Sequence, residues 1–229
     1  CTLPKFELMS ETKSTDIRYI SSEELKTFLE STGEKPFRAK QVWEWIWKKR
    51  ASSFDEMTNL SVGLRALLND NFEFYVIKKE SVQKSKDSTI KTCFRLKDDL
   101  VIEGVLIPAE SRMTACISSQ VGCPFACKFC ATGKMGFIRN LAFTEIFDQV
   151  NFINHQAVEQ HQRHLSNIVV MGMGEPLLNY KNLLSAIEKI TSTEGLGMSP
   201  SRITVSTVVI EKMIRQLGDD SVKFNLAFI

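Results

Sequence analysis

Long hydrophobic runs are missing from this chain. No apolar stretch reaches the roughly 18 residues needed to span a bilayer, and the first residues lack the basic-then-apolar pattern of a secretory signal. The expectation is a cytoplasmic protein with no membrane partner. An excess of one charge is missing too: 29 basic and 27 acidic side chains leave a net charge of +2, which says little about partners. Histidine is scarce, with 3 residues in 229. His155, His161 and His164 all fall on or just after one expected helix, where they read as solvated. The 6 cysteines include three in one metal-type cluster, which fits a reducing compartment better than a disulfide framework. With 43% apolar and 24% charged residues, the chain is no disordered segment, and it is long enough for one sizeable core plus a small appendage.

What is present is a tight group of thiols. Cys123, Cys127 and Cys130 form a Cys-x3-Cys-x2-Cys loop with Phe129 just before the last cysteine. Iron-sulfur clusters are normally held by four thiolates, so a loop offering three leaves one iron free to bind something else. The competing metal is zinc, whose sites show paired cysteine and histidine ligands. Cys116, upstream of the loop, is the available fourth ligand for zinc. Cys93 reads as a buried strand residue and Cys1 as part of a ragged end. On spacing alone, cluster, structural zinc and unligated thiols all remain open.

The residues around the loop carry a resemblance. Cys116-Ile117-Ser118-Ser119-Gln120-Val121-Gly122-Cys123, then Cys127, Phe129, Cys130, Ala131, Thr132, Gly136, Phe137, Arg139 and Asn140, resembles the RlmN/Cfr branch of the radical S-adenosylmethionine (SAM) superfamily. So does a second block, Met171-Gly172-Met173-Gly174-Glu175-Pro176-Leu177-Leu178-Asn179. The resemblance runs from about Ser21 to the C-terminus and implies a dual-specificity methyltransferase of adenosine in large-subunit (23S) ribosomal RNA and in tRNA. It implies a [4Fe–4S] cluster on Cys123, Cys127 and Cys130, with SAM chelating the open iron. Gly174, Glu175 and Ser206 would bind SAM, with Glu175 accepting hydrogen bonds from its ammonium group. One electron, from a donor such as flavodoxin or ferredoxin, would cleave SAM to a 5′-deoxyadenosyl radical. The methyl group would travel on a cysteine near the C-terminus of family members. Cys116 would resolve the resulting protein–RNA adduct, and Glu103 would act as the general base that takes the proton from adenine. Without the resemblance, Glu103 reads as a solvated strand residue.

The match has gaps. No cysteine follows Cys130, so the methyl-carrying cysteine is missing and both ends read as cut. The expectation is weak cluster binding without turnover by this piece alone. Relatives usually have glycine and proline where this chain has Val209 and Glu211, which puts the loop after Ser206 in doubt. Two rival readings remain: a Cfr-type enzyme methylating C8 of adenosine, disfavoured by the closer likeness of the Gln120 and Met171–Asn179 segments to the C2 branch, and a non-catalytic RNA-binding module with structural zinc.

The organisation along the chain is expected as follows. Residues 1–20 are a loose lead-in. Residues 21–72 are a helical, RNA-recognising domain: one helix starts at Ser21-Ser22 and closes at Gly33, a second runs from Phe37 to about Lys49 behind Pro36, and a third spans about Ser61 to Asn69. Trp43 and Trp47, four residues apart, read as core, and Trp45 with the neighbouring basic residues as the better RNA candidates. Residues 73–108 are an antiparallel β extension with runs Phe74 to Gln83, Thr89 to Leu96 and Leu100 to Ile107, turning at Asp98-Asp99. In it Lys78, Lys79, Lys84, Lys86, Lys91, Arg95 and Lys97 outnumber Glu80 and Asp87, as an RNA-facing surface or a solvated hairpin face would. Residues 109–229 alternate strands near 113–118, 167–171, 202–207 and 222–229 with helices near 144–156, 180–192 and 210–217. This pattern means parallel strands with crossover helices. The fold class is therefore α/β, a partial (βα) barrel of the radical SAM type with active residues at the C-terminal ends of its strands.

Overall fold

The computed structural model describes residues 15–228. Cys1 and most of the expected lead-in lie outside them. The chain divides into two compact units, 1–75 and 76–229.

The first unit holds three helices, α1 (Ser22–Ser31), α2 (Phe37–Trp47) and α3 (Val62–Asn71). Local chemistry sets their ends. The Ser21 hydroxyl accepts from the Glu24 amide at 3.2 Å, and the Glu24 carboxylate accepts from the Ser21 amide at 2.7 Å. This reciprocal capping satisfies two otherwise orphaned donors. Gly33 turns the chain out of α1 at φ +83°, and the Ser61 hydroxyl caps α3 through the Leu64 amide. Leu25, Leu29, Val42, Ile46, Trp47, Leu64 and Leu68 are buried, the stripes that helical spacing predicts. Trp47 is core as expected, stacked edge-on against Trp43 at 5.9 Å. Trp45 is already engaged: the Lys49 ammonium lies 3.8 Å over its ring, and its indole N–H donates to Asn59. The expected strand from Phe74 begins later, because Phe72 and Phe74 pack edge-on against Phe28 and Phe54 of the helical unit.

The second unit is built on one seven-stranded sheet in the order β1-β2-β3-β4-β7-β8-β9. Its strands are β1 (Lys78–Lys84), β2 (Ile90–Arg95), β3 (Val101–Pro108), β4 (Met113–Cys116), β7 (Asn167–Val170), β8 (Ile203–Thr207) and β9 (Asn225–Phe228). Pairs from β1 to β4 are antiparallel, and those from β4 through β7 and β8 to β9 are parallel. The β extension and the (βα) core are therefore one continuous sheet, open with β1 and β9 at its edges. Helices α4 (Phe143–His161), α5 (Tyr180–Thr191) and α6 (Glu211–Asp219) follow the parallel strands. A separate hairpin, β5 (Gln120–Gly122) with β6 (Phe137–Asn140), carries the cysteine loop.

The two-residue alternation of the antiparallel strands separates two faces. Ile90, Phe94, Ile102, Leu106 and Ala115 are buried, as are Ile146, Val150, Ile153 and Ala157 of α4. Contact between these two sets is close at Gly104, where an added Cβ would lie 2.9 Å from the Phe94 ring and 3.0 Å from Ile153. The opposite face carries half-buried Lys91, Cys93, Glu103, Val105 and Cys116. Helix α4 runs past the expected 156, since nothing in the sequence breaks it before Gln162 turns left-handed at φ +54°. That extension leaves His161 half-buried rather than solvated, whereas His155 and His164 are exposed.

Gly104→Ala is expected to overpack the β3–α4 contact and cost about 1–3 kcal/mol; thermal denaturation of the variant against the parent measures it.

Candidate SAM and iron-sulfur site

The site assembles where β4, β7 and β8 end. Cys116 closes β4, and the next residues turn inward. Ser118, Ser119 and Gln120 are all buried, which is costly for polar side chains unless every group is bonded. The Ser118 amide donates to Gln149 Oε1 at 2.8 Å, Gln149 Nε2 donates back to the Ser118 carbonyl at 3.1 Å, and the Ser118 hydroxyl donates to the Glu103 carbonyl at 2.7 Å while accepting from the Met173 amide at 2.9 Å. Asn179 Nδ2 donates to the carbonyls of Ser119 and Leu141. The Gln120 carboxamide links two loops: its Oε1 accepts from the Glu175 amide and its Nε2 donates to Asn140 Oδ1, both at 2.8 Å. One side chain thus joins the turn after β7 to the hairpin that carries the cysteines.

The hairpin itself depends on glycine. Gly122 sits at φ +73°, and a Cβ there would be 1.8 Å from the Gly136 carbonyl oxygen, so no other residue closes the base of the loop. The Cys123 amide donates to that same carbonyl at 3.1 Å. Cys123, Cys127 and Cys130 are half-buried and free, and Phe129 between them is 82% exposed. Burial pushes the Cys123 thiol up, and the neighbouring Cys127, Cys130 and Glu175 charges push it in the same direction. Among the described residues no three cysteine, histidine or acidic side chains converge on one point as a mononuclear ion requires. A four-iron cube takes one thiolate per corner, which suits three thiols spread around one loop.

Glu175 is 3% exposed. Its Oε1 accepts from the Leu177 amide and its Oε2 from the Val208 amide, each at 3.0 Å, so the carboxylate ties the turn after β7 to the turn after β8. A Cβ on Gly172 would meet Ser118 Oγ at 2.7 Å, and one on Gly174, at φ +98°, would meet Gln120 Cβ at 2.4 Å. Their bareness makes room for the 117–120 segment. At the end of β8 the hydroxyls of Ser206 and Thr207 are buried without a hydrogen-bond partner. An orphaned buried hydroxyl is expensive, and beside Glu175 it fits a site completed by a polar ligand. Three thiols, a buried carboxylate and an unsatisfied hydroxyl together fit a cluster with SAM.

Glu103 and Cys116 lie on the same face of the sheet. Cys116 pairs with Val105 across β3–β4, which makes Glu103, two residues away, its diagonal neighbour. Glu103 is half-exposed and accepts from Lys91 Nζ at 3.0 Å, and Cys93 stands directly opposite it on β2. Cys93 is therefore half-buried on the site face, not in the core. Burial pushes the Cys116 thiol up, partly offset by a hydrogen bond from the Met171 amide. The spacing of the sequence did not reveal Gln149, Asn179 or the Asp98–Arg139–Glu145 cluster. Arg139 and Asn179 stood in the blocks that carry the resemblance and Asp98 at an expected turn, without any sign of their partners, while Glu145 and Gln149 showed only as polar positions on a helix.

These elements define a radical SAM domain, and the comparisons agree. Residues 117–227 match the radical SAM superfamily and residues 15–74 the ribosomal RNA large subunit methyltransferase N-terminal domain. The chain is 56% identical over 218 residues to the probable dual-specificity RNA methyltransferase RlmN of Cytophaga hutchinsonii, covering 95% of this chain and 60% of that protein. It is 53% identical to the one from Christiangramia forsetii, covering 94% of this chain and 61% of that protein. A radical SAM methyltransferase from Sphaerobacter thermophilus superposes with a TM-score of 0.84 at 36% identity, over 93% of this chain and 63% of that one. The chain belongs to the RlmN/Cfr family of radical SAM RNA methyltransferases, and it spans about 60% of the length of the curated relatives it matches.

The departure at Val209 is visible in the backbone. Val209 sits at φ +63°, a left-handed conformation that costs a β-branched residue about 1–2 kcal/mol. Val209→Gly is expected to raise stability by about 1 kcal/mol, read as a higher denaturation midpoint.

Proposed function

We propose that this chain carries the cluster-binding and SAM-binding core of a methyltransferase acting on C2 of adenosine in 23S ribosomal RNA and in tRNA, through a methylcysteine intermediate. The observation that supports it most is the Gln120 carboxamide, which from the base of the cysteine hairpin bonds both the Gly-Glu turn and Asn140 on the opposite hairpin strand. Cys123, Cys127 and Cys130 would hold the cluster, and Gly174, Glu175 and Ser206 would hold SAM. When bound, the pair supplies one-electron chemistry that reaches a carbon too unreactive for direct methyl transfer. Glu175 keeps lone pairs free after its two backbone hydrogen bonds and would accept from the SAM ammonium, a charge-assisted contact. Ser206 offers its unused hydroxyl, and Gly174 sets the path of the turn.

On the sheet face, Glu103 takes the proton from the adenine ring, with Lys91 holding its carboxylate in place. Cys116, whose thiolate is opposed by burial, would resolve the protein–RNA adduct once its proton is removed. The RNA would meet cations that no carboxylate among the described residues neutralises. Lys91 and Arg95 are paired with Glu103 and Glu80, whereas Lys78, Lys79 and Lys84 line the fully exposed β1, where phosphate neutralisation supplies affinity. The helical unit adds to RNA recognition. Exposed Lys128 and Lys134 flank the cysteine loop and suit an acidic electron donor of the flavodoxin or ferredoxin kind. No described helix is long and apolar enough to cross a membrane, and a cytoplasmic site of action accords with the proposal.

Anaerobic reconstitution with iron and sulfide should give about four irons per chain and an EPR spectrum of the reduced protein that SAM perturbs. Zinc without acid-labile sulfide would overturn the assignment. Cys127→Ala should abolish the cluster and the SAM effect. No cysteine follows Cys130, so these 229 residues alone are expected to release no methylated adenosine; a 2-methyladenosine product by mass spectrometry would refute that part, and an 8-methyladenosine product would move the enzyme to the Cfr branch.

A further inference from the structure

Three features carry the cysteine loop: the Gly122–Gly136 base, the Gln120–Asn140 bond and an ionic cluster on the opposite side of β6. The third has no part in the chemistry described above. Arg139 Nε and Nη2 donate to the two Asp98 oxygens at 2.7 and 3.0 Å, while Nη1 and Nη2 donate to the two Glu145 oxygens at 2.8 and 2.9 Å. A single guanidinium is thus bidentate to two carboxylates from two elements, the β2–β3 turn and the first turn of α4. Glu145 Oε2 also accepts from the Ala142 amide at 2.8 Å, so the same carboxylate caps α4 just after the hairpin ends.

We propose that Arg139 is the positioning residue of the cysteine hairpin, a strut that fixes the loop against the sheet so that its thiols keep one spacing. Phe129, Met135, Phe137 and Ile138 are exposed, and the buried apolar residues Val121 and Leu141 lie only at the base of the hairpin. Asn140 and Arg139 are neighbours on β6 with side chains on different partners. Asn140 Nδ2 donates to the Leu178 carbonyl at 3.3 Å, while Arg139 bonds Asp98 and Glu145, and the hairpin is pinned at both. Planar bidentate geometry is what distinguishes arginine from lysine at such a joint. The Asp98 carboxyl is held below its usual range by the hydrogen bond from Arg139, in keeping with a working ion pair. Asp98 also lies in the turn that leads into β3, the strand that carries Glu103, so the strut sets the proposed base and the proposed cluster ligands in one frame. The inference rests on the proposed function for the meaning of the thiols, and not for the strut itself.

The test uses Asp98→Asn and Arg139→Lys. Asp98→Asn leaves the buried Glu145 paired and should fold with an unchanged denaturation midpoint. In the reconstituted chains, iron loss to a ferrous chelator, followed by cluster absorbance, should be about fivefold faster for Asp98→Asn, as the loss of a half-exposed charge-assisted pair implies. Arg139→Lys, which supplies a point charge without the fork, should be at least as fast. Hydrogen exchange on the cluster-free chains gives a readout independent of iron: amides of Val121 and Phe137 to Asn140 should exchange faster in both variants, with the core of the sheet unchanged. Parental rates of iron release and hairpin exchange in both variants would overturn the strut. If the parent takes up no iron while the variants still loosen the hairpin, the strut stands and the cluster assignment falls.

Discussion

The structure turns on the burial of three polar residues, Ser118, Ser119 and Gln120, in the elbow that follows β4. Buried polar groups without partners are costly, and their partners here come from β3, α4, the turn after β7 and β6. Each bond is directional, so satisfying all of them admits one arrangement of those elements. The glycines follow from the same constraint. Gly172 and Gly174 are bare because the elbow occupies the space a side chain would need. The Gly-x-Gly-Glu turn and the cysteine hairpin are therefore placed by a shared scaffold.

That scaffold also explains how one sheet serves two purposes. Its buried face meets α4 through Phe94, Ile102 and Leu106, and its other face carries Lys91, Cys93, Glu103 and Cys116. The antiparallel strands continue the parallel ones, so Glu103 on β3 becomes the diagonal neighbour of Cys116 on β4. A carboxylate and a thiol with different proposed tasks are thus held at a distance that strand register decides. Strain is also present at the rim of the same site, where the β-branched Val209 holds a left-handed backbone beside the Val208 amide that bonds Glu175.

Much of the fold could be read in the chain. Ser21 with Glu24, Gly33, Pro36 and Ser61 marked helix ends because capping is local chemistry. The alternation through Ile90–Arg95 and Val101–Pro108 marked strands because their two faces differ in burial. The β5–β6 hairpin escaped notice: its strands are short, and the exposed Phe137 and Ile138 give it no alternation to detect. The start of β1 was misplaced because Phe74 looks like a strand residue and is instead claimed by Phe54 in the helical unit.

The site divides in the same way. The cysteine spacing and the Gly-Glu block determined which residues belong together and, through the family they mark, their chemistry, because ligand type and loop length are properties of the chain itself. Only the tertiary structure decided that Gln120 joins the two blocks, that Glu175 is bonded to the loop after β8, that Ser206 and Thr207 hold hydroxyls with nothing to bond, and that Arg139 is shared between Asp98 and Glu145. These are contacts between residues far apart in sequence, and their geometry exists only once the sheet has fixed which strand ends lie side by side.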